Sequence, residues 1–161
     1  MKLSPHQVRA VVGLSEQTLR YWKKAFPTLS GRRGYGPCYT FGEVLALMVV
    51  RKLVEQLGTD VAKLCPLVEQ LFRVCDASVA LLTYKEAVAV LDLETMTVAL
   101  SSVATPASSS GMLLTVPLYA LARDLQLQIL ASLGGDELVQ MDLAFGPTPI
   151  TTAKKIKEGS R

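Results

Sequence analysis

The sequence predicts a mainly α-helical fold with a small β component, in which a helical N-terminal part precedes a small α/β C-terminal module. Three observations support this prediction. Apolar residues recur three and four positions apart over most of residues 1–72, capping residues precede these runs, and shorter strand-like segments follow from residue 73 onward. Half of the 161 residues are apolar, which is sufficient for a sizeable core.

The first two predicted helices are short and lie on either side of a glycine. The first begins after the cap residue Ser4, which is followed by a proline, and ends at Gly13. The second begins after Ser15, runs through Phe26 and is stopped by Pro27. Two short helices that are joined across a glycine form a helix-turn-helix pattern.

The second helix has two different faces. Leu19, Trp22 and Phe26 lie three and four positions apart, so we expect them to point into the core. The complementary stripe is polar and consists of Gln17, Arg20, Tyr21 and Lys24. Such a stripe is either a surface that contacts nucleic acid or the solvated side of an amphipathic helix.

Residues 28–39 are rich in glycine, basic and aromatic residues. Their turn-forming residues predict a short two-stranded wing with Arg32 and Arg33 at its tip. A basic wing of this kind is suited to contacts with phosphates or with the minor groove. Without the preceding helix pair, the same residues would indicate an ordinary surface loop.

Two further helices are predicted after the wing. Thr40 begins a capping box and an apolar helix that continues through Leu57 and is closed by Gly58. Another helical segment reaches about Phe72, with Pro66 in its first turn. These elements complete a predicted first domain over residues 1–72.

The second part of the chain has a different pattern. Residues 87–100 predict a hairpin with its turn at 92–95, although a short capped helix over 87–91 is the alternative. A loop of small residues follows at 101–111. Pro117 then begins a helix to about Leu133, and the residues on its apolar face are Leu118, Leu121, Leu125 and Ile129.

The predicted C-terminal segments are short. Residues 138–145 are compatible with a last strand, and residues 146–161 with a flexible tail. The sequence thus predicts a second module over 73–145, for which dimerisation or binding of an effector are the candidate roles.

Positive charge is concentrated near the N-terminus. Residues 1–52 contain nine Lys and Arg against Glu16 and Glu43, a net charge of +7, whereas the remaining residues have a net charge of −4. A basic first third on a mildly acidic body indicates that this end of the chain binds a polyanion.

The sequence lacks the patterns that indicate catalysis or metal binding. Residues 73–161 have no Gly-rich phosphate loop, no paired carboxylates beside a histidine and no nucleophile beside a base. Cys38, Cys65 and Cys75 form no CxxC pair, and His6 is the single histidine. We therefore expect no enzymatic activity, no cofactor, no metal and no disulfide scaffold.

The hydropathy pattern predicts a cytoplasmic protein. No apolar segment typical of a signal peptide follows Met1. The longest apolar run, at 44–50, is far shorter than the ~20 residues that span a bilayer. We expect a nucleoid-associated protein with no contact to a membrane.

The order of these motifs resembles that of the MerR family of bacterial transcription regulators over about residues 3–72. The features that carry the resemblance are Gly13-Leu14-Ser15, Thr18-Leu19-Arg20-Tyr21-Trp22, the Gly-rich segment up to Tyr39, the capped helix at 40–57 and Leu57-Gly58. The resemblance implies an N-terminal winged helix-turn-helix that binds double-stranded DNA.

The resemblance also implies which residues contact DNA. The start of the second helix, with Gln17 suited to adenine and Glu16 to cytosine, would approach base edges in the major groove. Its later residues and the wing would contact the phosphate backbone. Together with Lys24 from the polar stripe, the candidate DNA-binding residues are Ser15, Glu16, Gln17, Thr18, Arg20, Tyr21, Lys24, Arg32, Arg33 and Tyr35.

The sequence departs from the family pattern in two places. Gly36-Pro37-Cys38 stands where the family usually has an arginine before the closing tyrosine of the wing. No sustained heptad repeat follows residue 72, so the long dimerisation helix of the family is not predicted. We assign dimerisation to residues 73–145 instead.

These observations together predict a homodimeric, sequence-specific transcription regulator. Its recognition helix at 15–26 would lie in the major groove, and its wing at 28–39 on the flanking backbone or minor groove. RNA polymerase and a small-molecule effector stay open as further partners. One alternative is an architectural or recombination-accessory, excisionase-like DNA-binding protein, and the other is a protein-interaction or small-molecule-binding module that does not bind DNA.

Overall fold

Six helices and five short strands follow one another in the computed structural model, which describes residues 2–31, 36, 38–77, 87–101 and 111–132. The helices are α1 (Pro5–Val12), α2 (Glu16–Ala25), α3 (Pro27–Ser30), α4 (Phe41–Leu57), α5 (Cys65–Ala77) and α6 (Leu118–Ser132). The strands are β1 (Lys2–Leu3), β2 (Tyr39–Thr40), β3 (Val88–Asp92), β4 (Thr97–Ser101) and β5 (Leu113–Pro117). The prediction of a mainly α-helical fold with a small β component is confirmed.

Helix α1 begins and ends at the predicted signals. The Ser4 Oγ accepts a hydrogen bond from the Gln7 amide at 3.3 Å, and the Gln7 Oε1 accepts one from the Ser4 amide at 2.8 Å. This reciprocal pair satisfies two amides that the helix itself leaves without partners. Gly13 then ends the helix in the left-handed conformation, with φ at 72°.

Helix α4 forms the centre of the molecule and has the predicted bounds. Thr40 and Glu43 make the expected capping box, with the Thr40 amide 2.7 Å from Glu43 Oε2. Gly58 ends the helix with φ at 59°. Ten of its 17 residues are buried, which is why its sequence is apolar around most of its circumference.

The prediction of a wing over residues 28–39 is wrong for its first residues. Residues 27–30 form the short helix α3 instead of a strand, because Pro27 has a fixed φ that suits a first helical position. Leu29 is fully buried, and the Ser30 Oγ donates to the Pro27 carbonyl at 2.8 Å. Strand β2 pairs with the N-terminal strand β1, in the register Leu3↔Tyr39. The predicted wing tip, 32–35, lies outside the described residues.

Helix α5 extends beyond its predicted end near Phe72 and reaches Ala77. Its last turn is held against the start of α4, where the Thr40 Oγ1 donates to Asp76 Oδ1 at 3.0 Å. Gly42 permits this close approach, because a Cβ at that position would lie 2.7 Å from the Cys75 carbonyl oxygen. The domain boundary that we predicted after residue 72 therefore falls inside a helix.

The predicted hairpin at 87–100 is confirmed, and the alternative helix over 87–91 is wrong. Strands β3 and β4 pair antiparallel, and β5, which we did not predict, pairs with the other edge of β3. The side-chain amide of Gln70 joins this sheet to α5, because its Nε2 donates to the Met96 carbonyl at 2.9 Å and its Oε1 accepts from the Val98 amide at 3.1 Å.

Helix α6 follows Pro117 as predicted, and all four residues of its predicted apolar face are buried. It packs against α1 and α4, and it contacts β3. One continuous apolar core therefore extends from Leu3 to Ile129 and includes residues from both predicted domains. The predicted last strand at 138–145 and tail at 146–161 lie outside the described residues.

Within the described parts of the chain, none of the helices combines the length and the apolar character that crossing a membrane requires.

Candidate nucleic-acid interface

Helix α2 separates its residues into a core face and an outer face. Leu19 and Trp22 are buried, as is Phe26 directly after the helix. The Trp22 and Phe26 ring centroids are 6.2 Å apart, and the Phe26 ring meets Phe72 of α5 edge-on at 5.9 Å. This cluster confirms the predicted inward face, and it leaves Trp22 unable to stack on a base.

Gln17 and Lys24 lie on the side of α2 opposite to the core. Both are exposed, and among the described residues neither side chain takes part in a hydrogen bond or ion pair. They are two helical turns apart, so they lie on one line along the helix. This line is the part of the predicted stripe that is most accessible to a large partner.

Arg20 forms one edge of the outer face and is bound to an acidic residue of its own helix. Its Nη2 lies 2.9 Å from Glu16 Oε1, and its side chain is 70% exposed. The other carboxylate oxygen of Glu16 lies 3.0 Å from Nη1 of Arg9 on α1. Glu16 thus bridges two guanidinium groups from two helices.

Tyr21 forms the other edge and contacts an acidic residue that is distant in sequence. Its hydroxyl donates to Asp60 Oδ1 at 3.2 Å, and this hydrogen bond and the negative charge of Asp60 raise the pKa of Tyr21 above its ordinary value. The same oxygen of Asp60 accepts from the Ala62 amide at 3.2 Å, at the start of a 3₁₀ turn over Val61–Leu64. The phenol therefore points toward Asp60, and this contact favours its protonated form.

Ser15 and Thr18 form the N-terminal cap of α2. The Ser15 Oγ accepts from the Thr18 amide at 3.0 Å, and the two hydroxyl oxygens are 2.7 Å apart. Ser15 is exposed and Thr18 is half-buried. Their predicted contacts to DNA would involve hydroxyl groups that already hydrogen-bond to each other.

The junction of α1 and α2 is fixed from α4. Arg51 Nη1 donates to the Val12 carbonyl, and its Nε lies 2.6 Å from Glu55 Oε1. A Cβ on Gly13 would collide with the Arg51 guanidinium. The angle between the two helices therefore depends on a glycine and on an arginine 38 positions later in the chain.

An open cleft of about 340 Å³ lies between α1 and α2. The residues that line it are Pro5, His6, Arg9, Glu16, Leu19, Arg20 and Lys23. Arg9 was not among the predicted site residues, although it belongs to the basic N-terminal excess. Sequence reasoning missed Arg9 because nothing in the sequence indicates that α1 places it beside the start of α2.

Cys75 and Cys65 both make contacts within the fold. Cys75 is buried, and burial raises the pKa of its thiol to about 12. The Cys65 Sγ lies 3.5 Å from the Ala25 carbonyl at the end of α2. Within the described parts of the chain, no three His, Cys, Asp or Glu residues lie close enough together to hold a metal ion.

Seven of the ten predicted DNA-binding residues are described, and all seven lie on α2 or at its cap. Arg32, Arg33 and Tyr35 lie outside the described residues. Comparisons with protein-family models, curated proteins and solved structures found no match to this chain.

Proposed function

We propose that the chain is a sequence-specific, double-stranded DNA-binding transcription regulator that acts as a homodimer. In this proposal α1 and α2 form the helix-turn-helix of a winged domain, and α2 is the recognition helix in the major groove. The observation that carries the proposal is the outer face of α2. There Gln17 and Lys24 are exposed, have no side-chain partner among the described residues and lie between Arg20 and Tyr21.

Electrostatics and sequence pattern support the same reading. Residues 1–52 have a net charge of +7, which favours association with a polyanion. The resemblance of residues 3–72 to the MerR family includes the same helix and its cap. We assign the phosphates to Arg20, Tyr21 and the wing residues, and base preference to Gln17.

The proposed homodimer uses a surface other than the predicted apolar face of α6. That face is buried inside the chain against α1 and α4. We assign the dimer contact to the other side of the three-stranded sheet, where Val88 and Val90 are half-buried. A dimer is expected because a single short recognition helix reads too few base pairs to select one site.

Selection of bound fragments from genomic DNA, followed by footprinting, tests the proposal. A regulator of this type is expected to protect a two-fold symmetric operator. An extended array of direct repeats would support the architectural, excisionase-like alternative. Binding to no DNA at all, or binding that does not change with salt, would support a module that does not act on DNA.

Two substitutions test the roles of the outer face. Arg20→Ala is expected to weaken binding to all sequences and to reduce the salt slope by about 1, because one phosphate contact is lost.

Gln17→Ala is expected to reduce the preference for the selected site by about 1–3 kcal/mol while background binding persists. Arg123→Ala and Gln128→Ala are matched controls, since both residues are exposed on α6. Equal effects of test and control substitutions would contradict the assignment of α2.

A further inference from the structure

The two guanidinium groups at the cleft between α1 and α2 share one internal anion. Glu16 Oε2 lies 3.0 Å from Arg9 Nη1, and Glu16 Oε1 lies 2.9 Å from Arg20 Nη2. We propose that this cleft is a site for one DNA backbone phosphate and that the Glu16 carboxylate occupies it in the free protein. The inference rests on the proposed function and adds Arg9 and a blocking role for Glu16 to it.

The chemistry of the cleft suits a phosphate. Its other lining side chains include Lys23 and His6, so Glu16 is the one acidic residue among its lining residues. Two oxygens of a phosphate can accept from the same two guanidinium groups that the carboxylate now bridges, because arginine binds both anions through paired N–H donors. A volume of about 340 Å³ is ample for a phosphate group.

The bridge is also weak enough to exchange. The Glu16 side chain is 63% exposed and the Arg20 side chain 70% exposed, so water and salt screen both ion pairs. A phosphate of DNA that enters the cleft must displace the carboxylate, and Glu16 then opposes binding at every sequence. Tight binding requires additional contacts, such as those from Gln17 to a base. Glu16 therefore lowers the affinity for all sequences by a similar factor, and a sequence without such additional contacts is bound only weakly.

Glu16→Gln tests this role, with Glu94→Gln as the matched control. Glu94 is exposed in the turn between β3 and β4, and its side chain makes no ion pair among the described residues. Glu16→Gln is expected to raise the affinity for a non-cognate duplex roughly tenfold near 0.1 M salt and to steepen the salt slope by about 1. Glu94→Gln makes the same change in net charge and is expected to alter both quantities much less.

A double-mutant cycle with Arg9 separates the site from a general charge effect. In the wild-type chain Arg9 is partly neutralised by Glu16, so Arg9→Gln is expected to weaken DNA binding slightly. In the Glu16→Gln background the freed Arg9 contacts the phosphate, so the same substitution is expected to remove most of the gain in affinity. Equal effects of Arg9→Gln in both backgrounds would overturn the proposal.

The outcomes distinguish this inference from the proposed function. Failure of the wild-type chain to bind any duplex would refute the proposed function itself. If the wild-type chain binds DNA but Glu16→Gln binds non-cognate DNA no more tightly than Glu94→Gln, the phosphate site is refuted and the function stands. A loss of cognate preference without any gain in non-cognate affinity would instead show that Glu16 reads a base. The Arg9→Gln comparison keeps its meaning if Glu16→Gln is replaced by Glu16→Ala.

Discussion

Helices α2 and α6 bury one apolar face each in the same core, but their outer faces differ. On α2, Arg20 and Tyr21 are held by Glu16 and Asp60, respectively. On α6, the exposed polar residues Arg123, Asp124 and Gln128 make no side-chain hydrogen bond or ion pair among the described residues. In both helices, the residues that recur three and four positions apart are the buried ones. The two helices differ on their outer faces, because only α2 has outer side chains that are held by acidic partners among the described residues.

The same comparison changes the reading of the C-terminal part. We predicted it as a separate module, yet α6 packs on α1 and α4, the helices that position α2. The apolar face of α6 thus stabilises the candidate DNA-binding region by packing against α1 and α4. The two regions are expected to unfold together.

The largest expected effect on stability comes from a substitution that weakens the packing of α6. Leu125 is fully buried, so Leu125→Ala is expected to lower the free energy of unfolding by about 2–5 kcal/mol. The single tryptophan, Trp22, lies in the other region and reports its unfolding by fluorescence in urea. A shared core predicts that the Trp22 transition and the far-UV circular dichroism transition shift together.

Leu127→Ala is the control for this experiment, because Leu127 is on the same helix and 57% exposed. It is expected to change stability by no more than about 0.5 kcal/mol. A Leu125→Ala variant whose Trp22 transition keeps its wild-type midpoint would show that the two regions are independent domains.

A smaller effect is expected at the turn that sets the position of α2. Gly13 and Gly58 both end helices with positive φ, so alanine at either position costs about 1–2 kcal/mol. Only Gly13 faces a side chain, the Arg51 guanidinium, while a Cβ on Gly58 would meet open space. Gly13→Ala also displaces the hydrogen bond from Arg51 to the Val12 carbonyl, which adds about 0.5–1.5 kcal/mol.

Urea denaturation of the two alanine variants measures this difference directly. Gly13→Ala is expected to be the less stable variant, because the Arg51 guanidinium must move away from the added Cβ and lose its hydrogen bond to the Val12 carbonyl. Identical stabilities for Gly13→Ala and Gly58→Ala would contradict the role of Arg51 at this junction.

The elements that could be predicted from the sequence are those with local signals. The bounds of α4 follow from a capping box at Thr40 and a glycine at position 58, and the two faces of α2 follow from helical spacing. Strand β5 has no such signal, because five residues before a helix become a strand only when β3 pairs with them. The strand predicted from residue 28 failed because Pro27 starts a new helical turn.

The candidate site shows the same division between local and distant information. Gln17, Arg20 and Lys24 were placed on one stripe from their spacing, and all three are exposed. The partners that orient this stripe could not be predicted, because Asp60 meets Tyr21 across 39 positions. Arg9 reaches Glu16 only through the angle between two helices. Such contacts depend on how the helices pack around α4, and a local sequence pattern does not predict this packing.

The smallest expected effect concerns the edge of the α2 face that Asp60 holds. Because Asp60 accepts the Tyr21 hydroxyl and its charge opposes the phenolate, Asp60→Asn is expected to lower the pKa of Tyr21 toward its ordinary value of about 10. The raised pKa means that the hydrogen bond is present below pH 10 and is lost as the pH rises through the folded-state value. Carbon-13 NMR of the tyrosine ring carbons, assigned with Tyr21→Phe, follows this titration. A Tyr21 pKa that is unchanged by Asp60→Asn would show that the contact does not persist in solution, and the α2 face would then resemble that of α6 along this edge.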